Sequence, residues 1–521
     1  MSTVQPRLDL APSSQKPPSA PYTGTEYLDS LNDGREVWIN GEQVKNVSSH
    51  PAFRNSARMM ARLYDSLHDP AQTELLTIAI DDNSGGRTHR YFQAPHDVAE
   101  QVAGRDAIAC WARLTYGWMG RTPDYKAAWI ATLAGSTDLY GEYQANAKRW
   151  YDVARQRVPF INHAIVNPPI DRHLPNESSD VFIQVEKETD KGLIVSGAKV
   201  VATAAALTQY TFVAHYNVAY KDKKYSPIFL IRTGAPGIKL ICRNSYEYNA
   251  ALGASPFDAP LSSRMDENDS ILVFDKVLVP WEDVLMYSVE AANGFVSQTG
   301  FFTRALLQAC TRFAVKLDFL SGLFIRAVEI TGTKDYRGVQ AAVGEVIGLR
   351  HAMWAFSDAM ARSAEPWGQY VLPNLEAALA YRCAAGDTAS RVRNLIYKTV
   401  ASALIYLPSN AGDFLNPALR PYLERYVRGS NGIGAEERVK TLKLLWDAVS
   451  SEFASRHELY EINYSGSNEQ TRVDPYLLGN VFGYNEKMKT FVNQCMAEYD
   501  LKGWKASDLI NPDDVSARAR S

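Results

Sequence analysis

Three short stretches of the sequence bring together residues able to do chemistry. In Gly120-Arg121-Thr122-Pro123-Asp124-Tyr125, Thr122 suits a helix N-cap, Pro123 the first helical position and Asp124 the positive end of the helix dipole. Arg121 then lies just outside a helix start and Tyr125 in its first turn. Both can face a pocket where free backbone N–H groups favour an anionic ligand; the pair can equally do no more than stabilise the helix start. In the second stretch His163 is followed by Ala164 and Ile165, and Pro168 and Pro169 impose extended backbone before Ile170, Asp171 and Arg172. Rigid, irregular backbone suits a binding site. His163 can exchange a proton near neutral pH, and Asp171 and Arg172 can meet the polar edges of a ligand, although a structural histidine satisfied by its neighbours fits the same residues. The third stretch runs Tyr460-Glu461-Ile462-Asn463-Tyr464-Ser465-Gly466-Ser467. Helix termination explains it, and a glycine between two serines also lets backbone amides approach a cofactor.

The elements that must hold these stretches follow from periodicity. Residues 1–21 mix Ser, Pro, Gln and Lys without pattern and read as a flexible arm. Residues 22–160 carry mainly helical patterns, with one helix near 56–67 and another from Pro123. Over 161–290 the period changes to that of strands: Val181, Ile183 and Val185 alternate, and 192–203, 210–218, 227–232, 238–242 and 271–279 are β-rich runs cut by Gly, Pro and Asp. This predicts a small antiparallel β domain. In 291–521 helical spacing returns. Leu306, Cys310, Phe313, Leu317, Leu320, Phe324 and Val328 share one face, and further helices are expected over about 338–362, 375–405, 435–460 and 485–499, enough for a bundle.

Composition narrows the function class. Lys and Arg number 55 against 58 Asp and Glu, and no like-charged block stands out, so nucleic acid and membrane surfaces are not expected partners. No signal segment or long apolar run is seen, which makes the cytoplasm the expected location. The five cysteines are scattered without a Cys-x-x-Cys pair, so no metal is expected and they read as reduced, mostly buried thiols. A Gly-x-Gly-x-x-Gly fingerprint is missing: Gly429-Ser430-Asn431-Gly432-Ile433-Gly434 has the wrong spacing and precedes a helix without following a strand. Phosphate-loop, zinc-protease and serine-hydrolase motifs are missing too.

Residues 27–35, 50–55, 121–125, 163–172, 197–203, 261–269, 279–282 and 426–432 together resemble the 4-hydroxyphenylacetate 3-monooxygenase oxygenase family, over about residues 24–505. The resemblance implies an acyl-CoA-dehydrogenase-like fold, mainly α with a central β domain: N-terminal helices, a middle antiparallel β barrel and a C-terminal helical bundle, commonly in a homotetramer. It also implies a two-component monooxygenase. Family members take reduced FAD from a separate NAD(P)H-dependent flavin reductase, react it with O₂ to a C4a-hydroperoxide and hydroxylate a 4-substituted phenol to a catechol. A flavin-dependent dehydratase or dehydrogenase on the same scaffold is the alternative, and the first would require converging thiolates for an iron–sulfur cluster. By resemblance Arg121, Tyr125 and His163 hold the phenolic oxygen. The flavin contacts match His163, Ala164, Ile165, Pro169, Ile170, Asp171, Arg172, Thr203, Tyr464, Ser465, Gly466 and Ser467. Residues from Ala204 onward resemble the family's substrate loop, and the run Ala204-Ala205-Ala206, poor in donors for a carboxylate, points to tolerance of uncharged phenols.

Overall fold

In the computed structural model the apolar face that begins at Leu306 forms one 30-residue helix, Phe301–Ile330. All seven residues of that face are buried, and burying each contributes at most roughly 1.5–3 kcal/mol. Over the first half of the helix the opposite face is buried as well, including Arg304, Arg312 and Lys316, which marks a central helix rather than a surface one. Helices Val98–Leu114, Pro123–Ile130, Arg337–Arg362, Leu375–Val400 and Ala435–Val449 pack around it. The structure describes residues 20–82, 85–135, 137–171, 173, 180–215, 220–253, 255–464, 466–501 and 503–505. Nearly all of the N-terminal arm, Arg172 and Ser465 lie outside the described residues.

Between the helices stand two sheets. The larger has the strand order Glu42–Val44, Glu36–Ile39, Ile238–Cys242, Asp269–Pro280, Gly192–Thr203, Gln184–Thr189; the smaller runs Val284–Met286, Ile228–Arg232, Tyr210–Val213, Ile161–Ala164. Strand register pairs His163 with Phe212 in the smaller sheet and Asp269 with Thr203 in the larger.

The helical, β, helical order agrees with the sequence, but four details differ. The part read as helical supplies the hairpin Glu36–Val44 to the larger sheet. The sheets are mixed, because Glu36–Ile39 pairs in parallel with Ile238–Cys242 and Ile161–Ala164 in parallel with Tyr210–Val213. The stretch 435–460 is two helices, the second capped by Ser451, whose hydroxyl accepts the Ala454 N–H at 3.0 Å. Helix Asn468–Val481 was hidden by Pro475; the proline forfeits a ladder bond, while Asp474 ties the same turn to Arg382 of the helix Leu375–Val400. The thiols also differ: Cys310 is buried, Cys110 and Cys242 are half-buried, and Cys383 and Cys495 are exposed.

Candidate active site

A cavity of about 630 Å³ opens between the start of helix Pro123–Ile130, the strand edges around His163 and Thr203, and the ends of helices Phe301–Ile330 and Glu452–Asn463. The helix starts where the sequence places it, but its cap is different. The Thr122 hydroxyl makes no capping bond and binds the Asp124 carboxylate at 2.5 Å. Burial pushes Asp124 up to about 6. The N–H groups of Gly120 and Arg121 are taken by the buried Glu267 carboxylate, at 2.9 and 2.6 Å, so they are not free for a ligand. What the helix start offers is the Arg121 side chain. Its guanidinium makes no hydrogen bond among the described residues, and Nε and Nη1 are buried. It lies 4.0, 4.4 and 5.2 Å from the ring centroids of Tyr125, Tyr464 and Tyr460. Burial opposes its charge, but these phenols and Glu267 outweigh that and hold it firmly cationic. A Cβ on Gly120 would strike the Tyr460 hydroxyl, so glycine is what lets the tyrosine close this wall.

His163 presents its ring to the same cavity, with Tyr125 edge-on at 5.3 Å. Its Nδ1 contacts Nζ of Lys126, a buried lysine that no sequence motif singles out. Burial, then the charges of Lys126, Arg121 and Lys199, hold His163 well below the usual imidazole range, so it is neutral near pH 7.

A buried ion-pair network forms the next wall. Arg456 donates to both oxygens of Asp269 at 2.7 and 2.9 Å, Arg243 adds a bond at 3.0 Å, and the Thr203 hydroxyl donates to Asp269 at 2.6 Å. Burial alone would raise Asp269, but Arg456 and Arg243 hold it far below the usual carboxylate range. Beside Thr203 the strand carries one extra residue relative to its neighbour, between the pairs Ser270–Ala202 and Leu272–Lys199. Val201 there has φ of 55° and leaves its side chain 57% exposed at the cavity. A β-branched residue in the left-handed region costs of order 1–3 kcal/mol, and bulges of this kind re-aim side chains beside active sites.

Of the residues the sequence singled out, Arg121, Tyr125, His163, Ile165, Thr203, Tyr464, Gly466 and Ser467 line this one cavity. Gly466 has φ of 117°, a conformation that favours glycine. Ala164 is buried away from the cavity by strand alternation, and Pro169, Ile170 and Asp171 are exposed outside its wall. At the start of the segment that resembles the family's substrate loop, Ala204, Ala205, Ala206 and Gln209 are buried outside the cavity lining, and Gln209 accepts the Phe160 N–H at 2.7 Å and donates to Ser30 at 3.0 Å; residues 216–219 of that segment lie outside the described residues. The tie of Asp269 to Arg456 also escaped the sequence, since 187 residues separate the pair and no local pattern announces it.

The cavity suits a flat aromatic group with polar edges. Among the described residues, Arg121 Nε and Nη1 and Tyr460 Oη are buried around it without a hydrogen bond, and native proteins leave few such atoms unsatisfied. Val166, Val201 and Leu459 are exposed apolar side chains on its rim. These features fit an isoalloxazine ring beside a second, smaller ring.

Two family models, described as 4-hydroxyphenylacetate 3-hydroxylase N terminal and C terminal, match residues 23–286 and 292–493. The chain is 52% identical to the 4-nitrophenol 2-monooxygenase oxygenase component of a Rhodococcus species, over 95% of this chain and 96% of that one. It is 48% identical to the 4-hydroxyphenylacetate 3-monooxygenase oxygenase component of Escherichia coli, over 98% of each. A crystal structure of such an oxygenase component with FAD and 4-hydroxyphenylacetate, 32% identical, superposes with a TM-score of 0.85 over 91% of this chain and 99% of that one. An archaeal 4-hydroxybutyryl-CoA dehydratase, 19% identical with a TM-score of 0.81, shares the fold. Site and relatives thus define a flavin-dependent aromatic monooxygenase, mainly α with central sheets. The chain belongs to the 4-hydroxyphenylacetate 3-hydroxylase family.

Proposed function

We propose that this chain is the oxygenase component of a two-component system that hydroxylates a 4-substituted phenol ortho to its hydroxyl, giving a catechol. The observation that carries this reading is the Arg121 guanidinium, unpaired and caged by tyrosines beside the neutral His163. A cation with open donors next to a proton acceptor is what a phenol needs to bind as its anion. Tyr125 lies within reach of the same point as a further donor. Ionisation enriches the ortho carbons in electrons, which directs an electrophilic oxygen there. Reduced FAD supplies the electrons that activate O₂. His163, Ile165, Thr203, Tyr464, Gly466 and Ser467, with the backbone around Ala164, Pro169, Ile170 and Asp171 and the neighbouring Arg172 and Ser465, would hold it. The apolar rim excludes water from the reacting centre.

The reading includes three units, 22–160, 161–290 and 291–521, a cytoplasmic setting and a separate NAD(P)H-dependent flavin reductase. It also includes a homotetramer, in which other copies cover the exposed Tyr476, Val481, Phe482, Phe491 and Met496 of the C-terminal helices.

The test is cofactor supply. Purified protein is expected to leave NADH unoxidised, yet to form catechol when chemically reduced FAD and O₂ are delivered. Catechol formation from NADH and oxidised FAD with no reductase present would sink the two-component reading. Among the described residues the cavity's other cation, Arg456, is committed to Asp269. A carboxylate tail therefore gains little, and kcat/KM for 4-nitrophenol and 4-hydroxyphenylacetate should agree within about tenfold, or ~1.4 kcal/mol.

A further inference from the structure

Lys126 follows Tyr125 on the helix Pro123–Ile130 and is 1% exposed. An amine so deep ordinarily keeps its charge by pairing with a carboxylate. Lys126 has no such partner among the described residues. Nζ contacts Nδ1 of His163 and otherwise faces the rings of Tyr125, Phe212 and Phe301, 5.0, 5.0 and 5.3 Å from their centroids. The charged groups acting on the Lys126–His163 pair are cations, Arg121 and Lys199; of the carboxylates nearby, Glu267 is held by the backbone of Gly120 and Arg121 and Asp124 by the Thr122 hydroxyl. Burial, then Arg121, hold Lys126 well below the usual lysine range, and burial, then Lys126, Arg121 and Lys199, hold His163 well below the usual imidazole range, so the site disfavours charge on both partners at once. The remaining ring nitrogen, Nε2, makes no hydrogen bond among the described residues, and the ring lines the cavity.

We propose that Lys126 receives, through His163, the proton a phenol gives up on binding. This rests on the phenol-binding reading of Arg121, Tyr125 and His163. In the resting site the amine lone pair accepts Nδ1–H of His163, which leaves Nε2 as an acceptor toward the cavity. The phenol O–H donates to Nε2. As its proton moves to Nε2, the Nδ1 proton moves to Nζ. The phenol becomes a phenolate, Lys126 an ammonium and His163 the opposite neutral tautomer, with one proton moved and no electron. The net charge of the site is unchanged, so no ion need be drawn from solvent into the cavity. Both products are stabilised where they form: the phenolate between Arg121 and the new Nε2–H, the ammonium among three aromatic faces. Lys126 touches neither substrate nor flavin and is a positioning residue that acts through His163.

The test uses 4-nitrophenol, whose colour reports its ionisation, bound to flavin-free protein about one pH unit below the free probe's own midpoint. Calorimetry in two buffers of different ionisation enthalpy counts protons released. Wild type is expected to show the phenolate band while releasing almost no proton. Lys126→Gln can still hydrogen-bond to Nδ1 but cannot take a proton; in it and in Lys126→Met the bound probe should stay protonated, its midpoint raised by about one pH unit or more. A merely structural lysine would be rescued by the glutamine. Unchanged phenolate bands in both variants would overturn the proposal, and so would about one proton released per probe bound by wild type, a count that stands even if neither variant folds. Wild type that binds no 4-nitrophenol would overturn the phenol reading itself.

Discussion

Arg121→Ala is expected to lower catechol formed per reduced FAD consumed by about a hundredfold, with the oxygen appearing as hydrogen peroxide. The guanidinium meets no acceptor among the described residues, so its hydrogen-bonding capacity is open to a ligand. Charge-assisted hydrogen bonds are worth about 1.5–3 kcal/mol each, or roughly 10- to 150-fold. Because the side chain makes no hydrogen bond or close ion pair among the described residues, and Glu267 keeps Arg456 and its backbone donors, its removal should leave folding and the consumption of reduced flavin largely intact. The loss then appears in coupling rather than in turnover of the cofactor. Arg121→Lys should recover only part of it, since an ammonium is a point charge without the planar fork. His163→Ala should act in the same direction through loss of the proton acceptor. Measuring catechol and peroxide together checks this, and a wild-type catechol yield in Arg121→Ala would remove the residue from the mechanism.

The fold was legible wherever burial imposes a period. β-rich runs between turn residues marked the strands now seen at Gly192–Thr203 and Ile238–Cys242, and steps of three and four marked the helix Phe301–Ile330. Partners were not legible, because local pattern carries no address: nothing in Glu36–Ile39 says that it pairs in parallel with a strand two hundred residues later. The same limit governs the site. Arg121, Tyr125 and His163 could be named from their motifs, but Lys126 belongs to none of them, and nothing local shows that its helix is wholly buried. The bulge at Val201 follows from the register of two strands and is invisible in either alone. The alanines after Thr203, read from the sequence as poor in donors, are packed at the start of a buried turn, with Ala204 at φ of 60°.

The helix Glu452–Asn463 carries Arg456 and Tyr460 of the cavity wall, and its seating depends on Glu461. That carboxylate is buried between Arg312 and Lys316 of the central helix, its Oε2 taking Nη2 of Arg312 at 2.8 Å and its Oε1 taking Nη1 of Arg312 and, at 3.0 Å, Nζ of Lys316. Burial would raise Glu461, but Arg312 and then Lys316 pull it down to about 2 from 4.5. A folded value below the unfolded one means stability that is fully present above about pH 4.5 and lost as the pH falls toward 2, on the order of 3 kcal/mol. Lys316 opposes part of this. Burial leaves it at about 8 despite its partner, so its charge still costs the fold something at neutral pH. Replacing Glu461 by Gln strands two buried cations and should therefore destabilise the protein by about 3–5 kcal/mol at pH 7, with weakened flavin binding as the cavity wall loosens. The deficit should hold steady between about pH 5 and 7 and shrink as the pH drops below 4.5, because the unfolded wild-type chain then takes up a proton at Glu461 that the folded one refuses until about 2. Adding Lys316→Met to Glu461→Gln should recover part of the loss by removing one stranded cation. Denaturant midpoints for the three proteins across that range decide it: a Glu461→Gln deficit below about 1 kcal/mol at pH 7, the size of an exposed ion pair, would mean that packing, not charge, seats this helix against the core.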